Sequence, residues 1–112
     1  MSDVVPFLRV RDAEASAAWY ARLGFEVEWT HRFDDGLPLF VSVCKAGDSR
    51  IFLSEHEGDA KPDGLLYLYV DDLDAVAGKF GAPIHEAEYG MREVHLTDPD
   101  GNRIRVGTPS SG

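Results

Sequence analysis

The chain has 112 residues, a formal net charge of -9 at pH 7, one cysteine, and 44% hydrophobic residues. That length suits one domain with its own core. The acidity argues against nucleic acid and anionic membrane surfaces, which need clustered Lys and Arg, and favours a cationic ligand. Cys44 has no internal disulfide partner, and no apolar run approaches the roughly 20 residues of a membrane span or the layout of a signal peptide, so a cytoplasmic protein is expected.

In chain order, residues 4–10 read as a strand ending at Asp12, a good helix N-cap. A helix over 13–23 follows, with Ala13, Ala17, Tyr20 and Leu23 on one stripe and Gly24 at its left-handed exit. Strands are predicted at 25–33, 37–45 and 50–54, separated by Asp34-Asp35-Gly36 and Ala46-Gly47-Asp48. Residues 56–64 have no apolar periodicity and read as a linker, with His56 solvated. The second half repeats the order: a strand at 65–70, the N-cap Asp72, and a helix with Leu73, Val76, Ala77 and Phe80 at i, i+3, i+4 and i+7. A short segment at 83–88 precedes a hairpin of 92–97 and 102–107 around Asp98-Pro99-Asp100-Gly101, where Pro presets one turn angle and Gly supplies positive φ. Residues 1–3 and 108–112 read as unstructured ends.

The halves echo each other. Val10, Asp12 and two alanines recur in register sixty positions later as Val70, Asp72, Ala75 and Ala77, and Gly47-Asp48-Ser49-Arg50-Ile51-Phe52-Leu53 answers to Asp100-Gly101-Asn102-Arg103-Ile104-Arg105-Val106. A repeat in the same order with the same expected structure marks two copies of one βαβββ module: module one at about 4–55 and module two at about 65–108, in a single α+β domain.

Strand parity sorts the side chains. Val41, Val43, Ile51, Leu53, Leu66, Leu68, Val70, Val94, Leu96, Ile104 and Val106 are assigned to the helix-facing side. The other side receives Phe7, Arg9, Phe40, Ser42, Cys44, Arg50, Phe52, Leu65, Tyr67, Tyr69, Glu93, His95, Arg103 and Arg105. Helices on one side only leave that second face bare, and a curved cleft around a ligand is its economical use.

The segments Arg9-Val10-Arg11-Asp12, Leu23-Gly24-Phe25, Val70-Asp71-Asp72-Leu73-Asp74 and Asp98-Pro99-Asp100-Gly101-Asn102 resemble the glyoxalase/bleomycin resistance/dioxygenase, or vicinal oxygen chelate, superfamily. Pro6 and Tyr89-Gly90-Met91-Arg92-Glu93-Val94 look most like its bleomycin resistance branch. The resemblance implies two βαβββ modules forming a curved mixed-sheet cleft, and a homodimer. It places the metal ligands of catalytic members at Val5, Phe52, Leu65 and Arg105, none of which can serve as one. No metal or other cofactor and no catalytic residue is therefore expected.

Phe7, Phe40, Phe52, Tyr67 and Tyr69 are read as rings that stack on a flat ligand in preference to a second core, with Phe33 joining them from the cleft mouth and Tyr89 as a pocket wall. Trp29 is expected to cap the cleft mouth. Glu93, His95 and Arg105 complete the expected ligand-binding set, His95 as a hydrogen-bonded cleft histidine. The leading expectation is a metal-free binding protein that sequesters a bulky cationic antibiotic of the bleomycin type without turnover. The alternative is an enzyme of the same superfamily acting on a small molecule through a displaced metal site or through acid/base chemistry at His95 and Glu93. A third reading is a structural or regulatory dimer that keeps only the fold.

Overall fold

The computed structural model describes residues 4–32, 34–36, 38–45 and 49–110. The described chain runs β1 (Phe7–Arg9), α1 (Ala13–Ala21), β2 (Glu26–Arg32), β3 (Leu39–Lys45), β4 (Ser49–Ser54), β5 (Leu65–Tyr69), α2 (Leu73–Phe80), β6 (His85–Ala87), β7 (Met91–Thr97) and β8 (Arg103–Pro109). Each βαβββ stretch makes one four-stranded mixed sheet, in the orders β1-β4-β3-β2 and β5-β8-β7-β6. The first and last strands of each stretch pair in parallel, and all other pairs are antiparallel. This is the α+β class expected from the repeat.

The chain divides into two compact units. One is Met1–Gly64 with Asp98–Asn102, the other Leu65–Thr97 with Arg103–Gly112. The turn between β7 and β8 thus belongs to the first unit.

In the first unit, Asp12 caps α1 by accepting from the Ala15 N–H at 3.1 Å, the interaction its position announces. The helix ends two residues earlier than expected, and Gly24 takes φ 95° just beyond. Ala13, Ala17 and Tyr20, with Leu23 past the helix end, are buried together with Val41, Val43, Ile51 and Leu53. Glu55, at the boundary between module one and the expected linker, closes this core. Its carboxylate accepts from the Ala13 N–H at 2.8 Å and the Leu39 N–H at 2.9 Å, joining the start of α1 to the start of β3.

The Asp98–Asn102 turn is the polar centre of this unit. Asp98, 4% exposed, accepts from the Tyr20 hydroxyl at 2.8 Å, from the N–H groups of Asp100 and Asn102, and from the Asn102 amide. Asn102, fully buried, also donates to the Arg9 carbonyl and accepts from the Gly64 N–H. Burial, then the negative charge of Asp98 and the hydrogen bond to it, raises the Tyr20 pKa well above the usual tyrosine value. For Asp100, burial acts in the opposite sense, yet bonds from the Arg11 backbone and guanidinium and from the Ser16 hydroxyl hold its carboxyl below the ordinary value. Sequence reading recognised these residues as a hairpin turn and left their wider role unstated.

In the second unit Asp72 caps α2 through the Ala75 N–H at 3.0 Å, and Gly81 ends it at φ 62°. The helix packs on β7 and β8, and Leu68, Leu73, Val94, Leu96, Ile104 and Val106 are buried. The expected frayed end is corrected in part. Thr108 and Pro109 extend β8 opposite Arg92 and Met91, and the Ser110 N–H donates to the Gly90 carbonyl at 2.8 Å. Residues 1–3, 111 and 112 lie outside the described set.

Candidate functional site

In the first unit the helix-free face of the sheet carries a packed group of rings. Phe7 meets Phe40 and Phe52 edge-on, with centroids 5.6 and 5.2 Å apart, and Phe40 and Phe52 lie 5.2 Å apart. Trp29 stacks on Phe40 at 5.6 Å and 14° and reaches Phe52 at 5.5 Å. Phe7 stays 43% and Trp29 41% exposed, so the group has a self-packed base and an open outer surface. Phe33, expected to join these rings, lies outside the described residues.

Trp29 reaches this face through a bulge. Val27 pairs with Val43 but Trp29 pairs with Ser42, so the register slips at Glu28. Without the slip, alternation would send Trp29 to the side of Val41 and Val43. Glu28 is anchored by Arg50 at 2.7 and 2.8 Å and by the Ser42 hydroxyl at 2.9 Å, and the Arg50 bonds, then the Ser42 bond, lower its pKa. Trp29 is thus part of the stack, with its outer side left open. Beside it lies a hollow of about 340 Å³ lined by Trp29, His31, Phe40, His56 and Asp59. His56, expected in solvent, is half-buried on this wall. Its backbone N–H donates to the Ser54 hydroxyl, which donates to Asp59 at 2.6 Å. Neither His31 nor Asp59 was singled out by sequence, because nothing local signals the fold-back of the 55–64 segment.

The second unit carries a polar counterpart. Tyr67, Arg105 and His95 stand in one row across β5, β8 and β7. In the next row, Gly107 lies between Tyr69 and Glu93, and His85 follows on β6. Glu93 is only 3% exposed because other groups cover it. Its Oε2 accepts from the Tyr67 hydroxyl at 2.7 Å and from the Tyr89 hydroxyl, and its Oε1 lies 3.0 Å from His95 Nε2. The Tyr89 bond, then His95, then Tyr67, bring the Glu93 pKa down to about 2 from 4.5. Burial and the Glu93 bond raise the Tyr67 phenol, and the Glu93 bond chiefly raises Tyr89. Tyr69 leans on Tyr67 at 5.1 Å, and His85 stacks on His95 at 5.0 Å.

Of the residues picked from sequence, Phe7, Phe40 and Phe52 fall in the first group, and Tyr67, Tyr69, Tyr89, Glu93, His95 and Arg105 in the second. His85 and Gly107 were missed, since only the strand register reveals them. A carboxylate already accepting from three groups, with so low a pKa, is a poor general base. It holds Tyr67, Tyr89 and His95 in place.

A divalent ion does not fit the positions that the sequence resemblance reserved for its ligands. Phe52 is inside the ring cluster, Leu65 is half-exposed opposite Arg103, and Arg105 is a cation. The register sets Phe7 opposite Phe52 and Tyr67 opposite Arg105, two residues beyond Val5 and Leu65, and that shift brings no imidazole or carboxylate to the row of Phe52. Among the described residues no three His, Cys, Asp or Glu side chains gather as metal ligands would, and no helix is long and apolar enough to cross a membrane.

A family model described as "Glyoxalase superfamily protein" matches residues 1–112. No curated protein matches the sequence at a significant level. Solved structures do match along nearly the whole chain. A bleomycin resistance determinant encoded on the transposon Tn5 superposes with a TM-score of 0.75 at 23% identity, covering 99% of this chain and 100% of that one. A bleomycin-binding protein complexed with bleomycin gives 0.71 at 25% identity, over 98% and 100%. An antibiotic-binding protein from Streptomyces sp. CB03234 gives 0.75 at 22% identity, over 98% and 97%.

Proposed function

This chain belongs to the glyoxalase superfamily, and from that membership we propose that it is a binding protein which sequesters a bulky antibiotic of the bleomycin type, without a metal and without turnover. The observation that carries the reading is the open ring group of Phe7, Trp29, Phe40 and Phe52 beside a hollow of about 340 Å³. Flat ring surfaces left half-exposed contribute stacking area at low entropic cost. The bleomycin complex among the similar structures supports the same ligand class. Sequestration needs affinity and abundance, not a nucleophile, and the net charge of -9 favours capture of a ligand that is positive overall.

The protein acts as a homodimer in this reading. Every residue of β2, an edge strand, is exposed, and an exposed edge is a surface that a second copy can cover. Light scattering at micromolar concentration is expected to give twice the chain mass.

Calorimetric titration with metal-free bleomycin, in buffer containing EDTA, tests the main proposal. The expected result is saturable binding with the drug recovered unaltered by mass spectrometry. Absence of binding, or appearance of a modified drug, overturns it.

A further inference from the structure

We propose that the helix-free face of the second unit is an oxyanion-binding subsite, with Arg105 as its anchor, for a ligand that carries an acidic oxygen group on a flat ring. The proposal rests on the reading of this protein as a small-molecule binder and specifies what part of the ligand this face takes.

Arg105 stands in the middle of the face, half-buried, with Tyr67 beside it on β5 and His95 on β7. Its guanidinium makes no hydrogen bond and no ion pair among the described residues, and its positive charge only tempers the rise in the Tyr89 pKa. An unpaired guanidinium in a partly dry setting has an unmet demand for acceptors. The nearby carboxylate does not meet it. Glu93 is turned to Tyr67, Tyr89 and His95, and those three donors occupy both its oxygens.

The arrangement separates two charges that would otherwise cancel. Had Glu93 paired with Arg105, the face would be neutral and closed. With the carboxylate spent on two phenols and an imidazole, the face offers Arg105 and the exposed Tyr69 hydroxyl to solvent. Both donate, so the complementary ligand atom is an acceptor, and a planar fork favours a carboxylate or a similar multi-oxygen anion over a single carbonyl. Tyr67 and Tyr69, in contact with each other, supply ring surface next to that anchor, which places the acidic group on or near an aromatic ring. A ligand that is positive overall, as the acidic chain favours, and carries one such group satisfies both requirements.

The test uses 1-naphthoate and its neutral amide, 1-naphthamide, titrated into the full chain and followed by NMR at the His95 and Tyr67 ring protons. Naphthoate is expected to bind about tenfold or more tightly than naphthamide. Arg105→Gln is expected to bring naphthoate down to the affinity of naphthamide, whereas Arg105→Lys keeps part of the preference. Circular dichroism confirms that both variants are folded. Equal affinity of the two probes for the wild type, survival of the preference in Arg105→Gln, or failure of naphthoate to bind at millimolar concentration each overturns the proposal. Bleomycin titrated in the same series separates this from the broader reading. Naphthoate preference without bleomycin binding removes the bleomycin class and keeps the subsite, while bleomycin binding without the preference does the reverse.

Discussion

Gly107 and Tyr67 occupy space that only one of them can fill with a side chain. A Cβ built on Gly107 would lie 2.0 Å from the Tyr67 hydroxyl oxygen and 2.8 Å from the ring carbon that bears it. The phenol therefore crosses β8 above Gly107 to reach Glu93, two strands from its own. Gly107 is chosen for absence of bulk.

Gly107→Ala is accordingly expected to push the Tyr67 ring off Glu93 and to destabilise the protein by about 1–3 kcal/mol, the usual cost of overpacking. The same substitution in a Tyr67→Ala background should cost far less, because the clashing ring is gone. Urea denaturation of the four proteins checks this. Additive effects would mean that the two residues do not compete for space.

Acid stability should depend on Glu93. Its folded pKa, about 2, lies below the ordinary 4.5, so its bonds stabilise the folded state above about pH 4.5. That contribution is lost as pH falls through the interval down to about 2. Wild type is expected to lose stability across this range, and Glu93→Gln to show a flatter acid limb. Melting temperatures measured from pH 6 to pH 2 provide the comparison.

Tyr20→Phe removes one donor from Asp98 in a buried setting. Asp98 still accepts from the Asn102 amide, so the cost is that of one hydrogen bond to a charged group, about 1.5–3 kcal/mol, and the variant should unfold earlier by about that amount. Asp98 keeps its bonds from Asp100 and Asn102, so folding itself should survive. An unchanged denaturation midpoint would place the hydroxyl outside the stability of this unit.

Phe52 touches Phe7, Phe40 and Trp29, whereas Trp29 is largely open on one side. Phe52→Ala is therefore expected to lower stability by about 2–4 kcal/mol, near the cost of removing a packed ring. Trp29→Ala should cost less stability and weaken bleomycin binding by about 1–3 kcal/mol. If Trp29→Ala binds as the wild type does, the ring group is a second core.

Much of the fold was legible because it is encoded locally. Asp12 and Asp72 announce helix starts, and alternation separates Val41, Val43, Ile51 and Leu53 from Phe40 and Phe52. The site was legible only as a roster of side chains. Trp29 joins the rings through a one-residue slip at Glu28, and no periodicity in 25–33 signals it. The partition of Glu93 among Tyr67, Tyr89 and His95 depends on register across three strands and on an empty position at 107. Glu55 and Asp59 carry no local signal of their roles because their partners, at 13, 39 and 54, are brought near only by the folded chain.

The turn at Asp98–Asn102 has a consequence for how such a chain could have arisen. A half-length polypeptide ending near Gly64 would bury the Tyr20 hydroxyl without Asp98 and leave the Gly64 N–H and the Arg9 carbonyl without Asn102. Such a fragment lacks the turn that closes its interior, and a second copy of the same fragment does not carry it either, so the first unit is complete only in a chain that also contains residues 98–102.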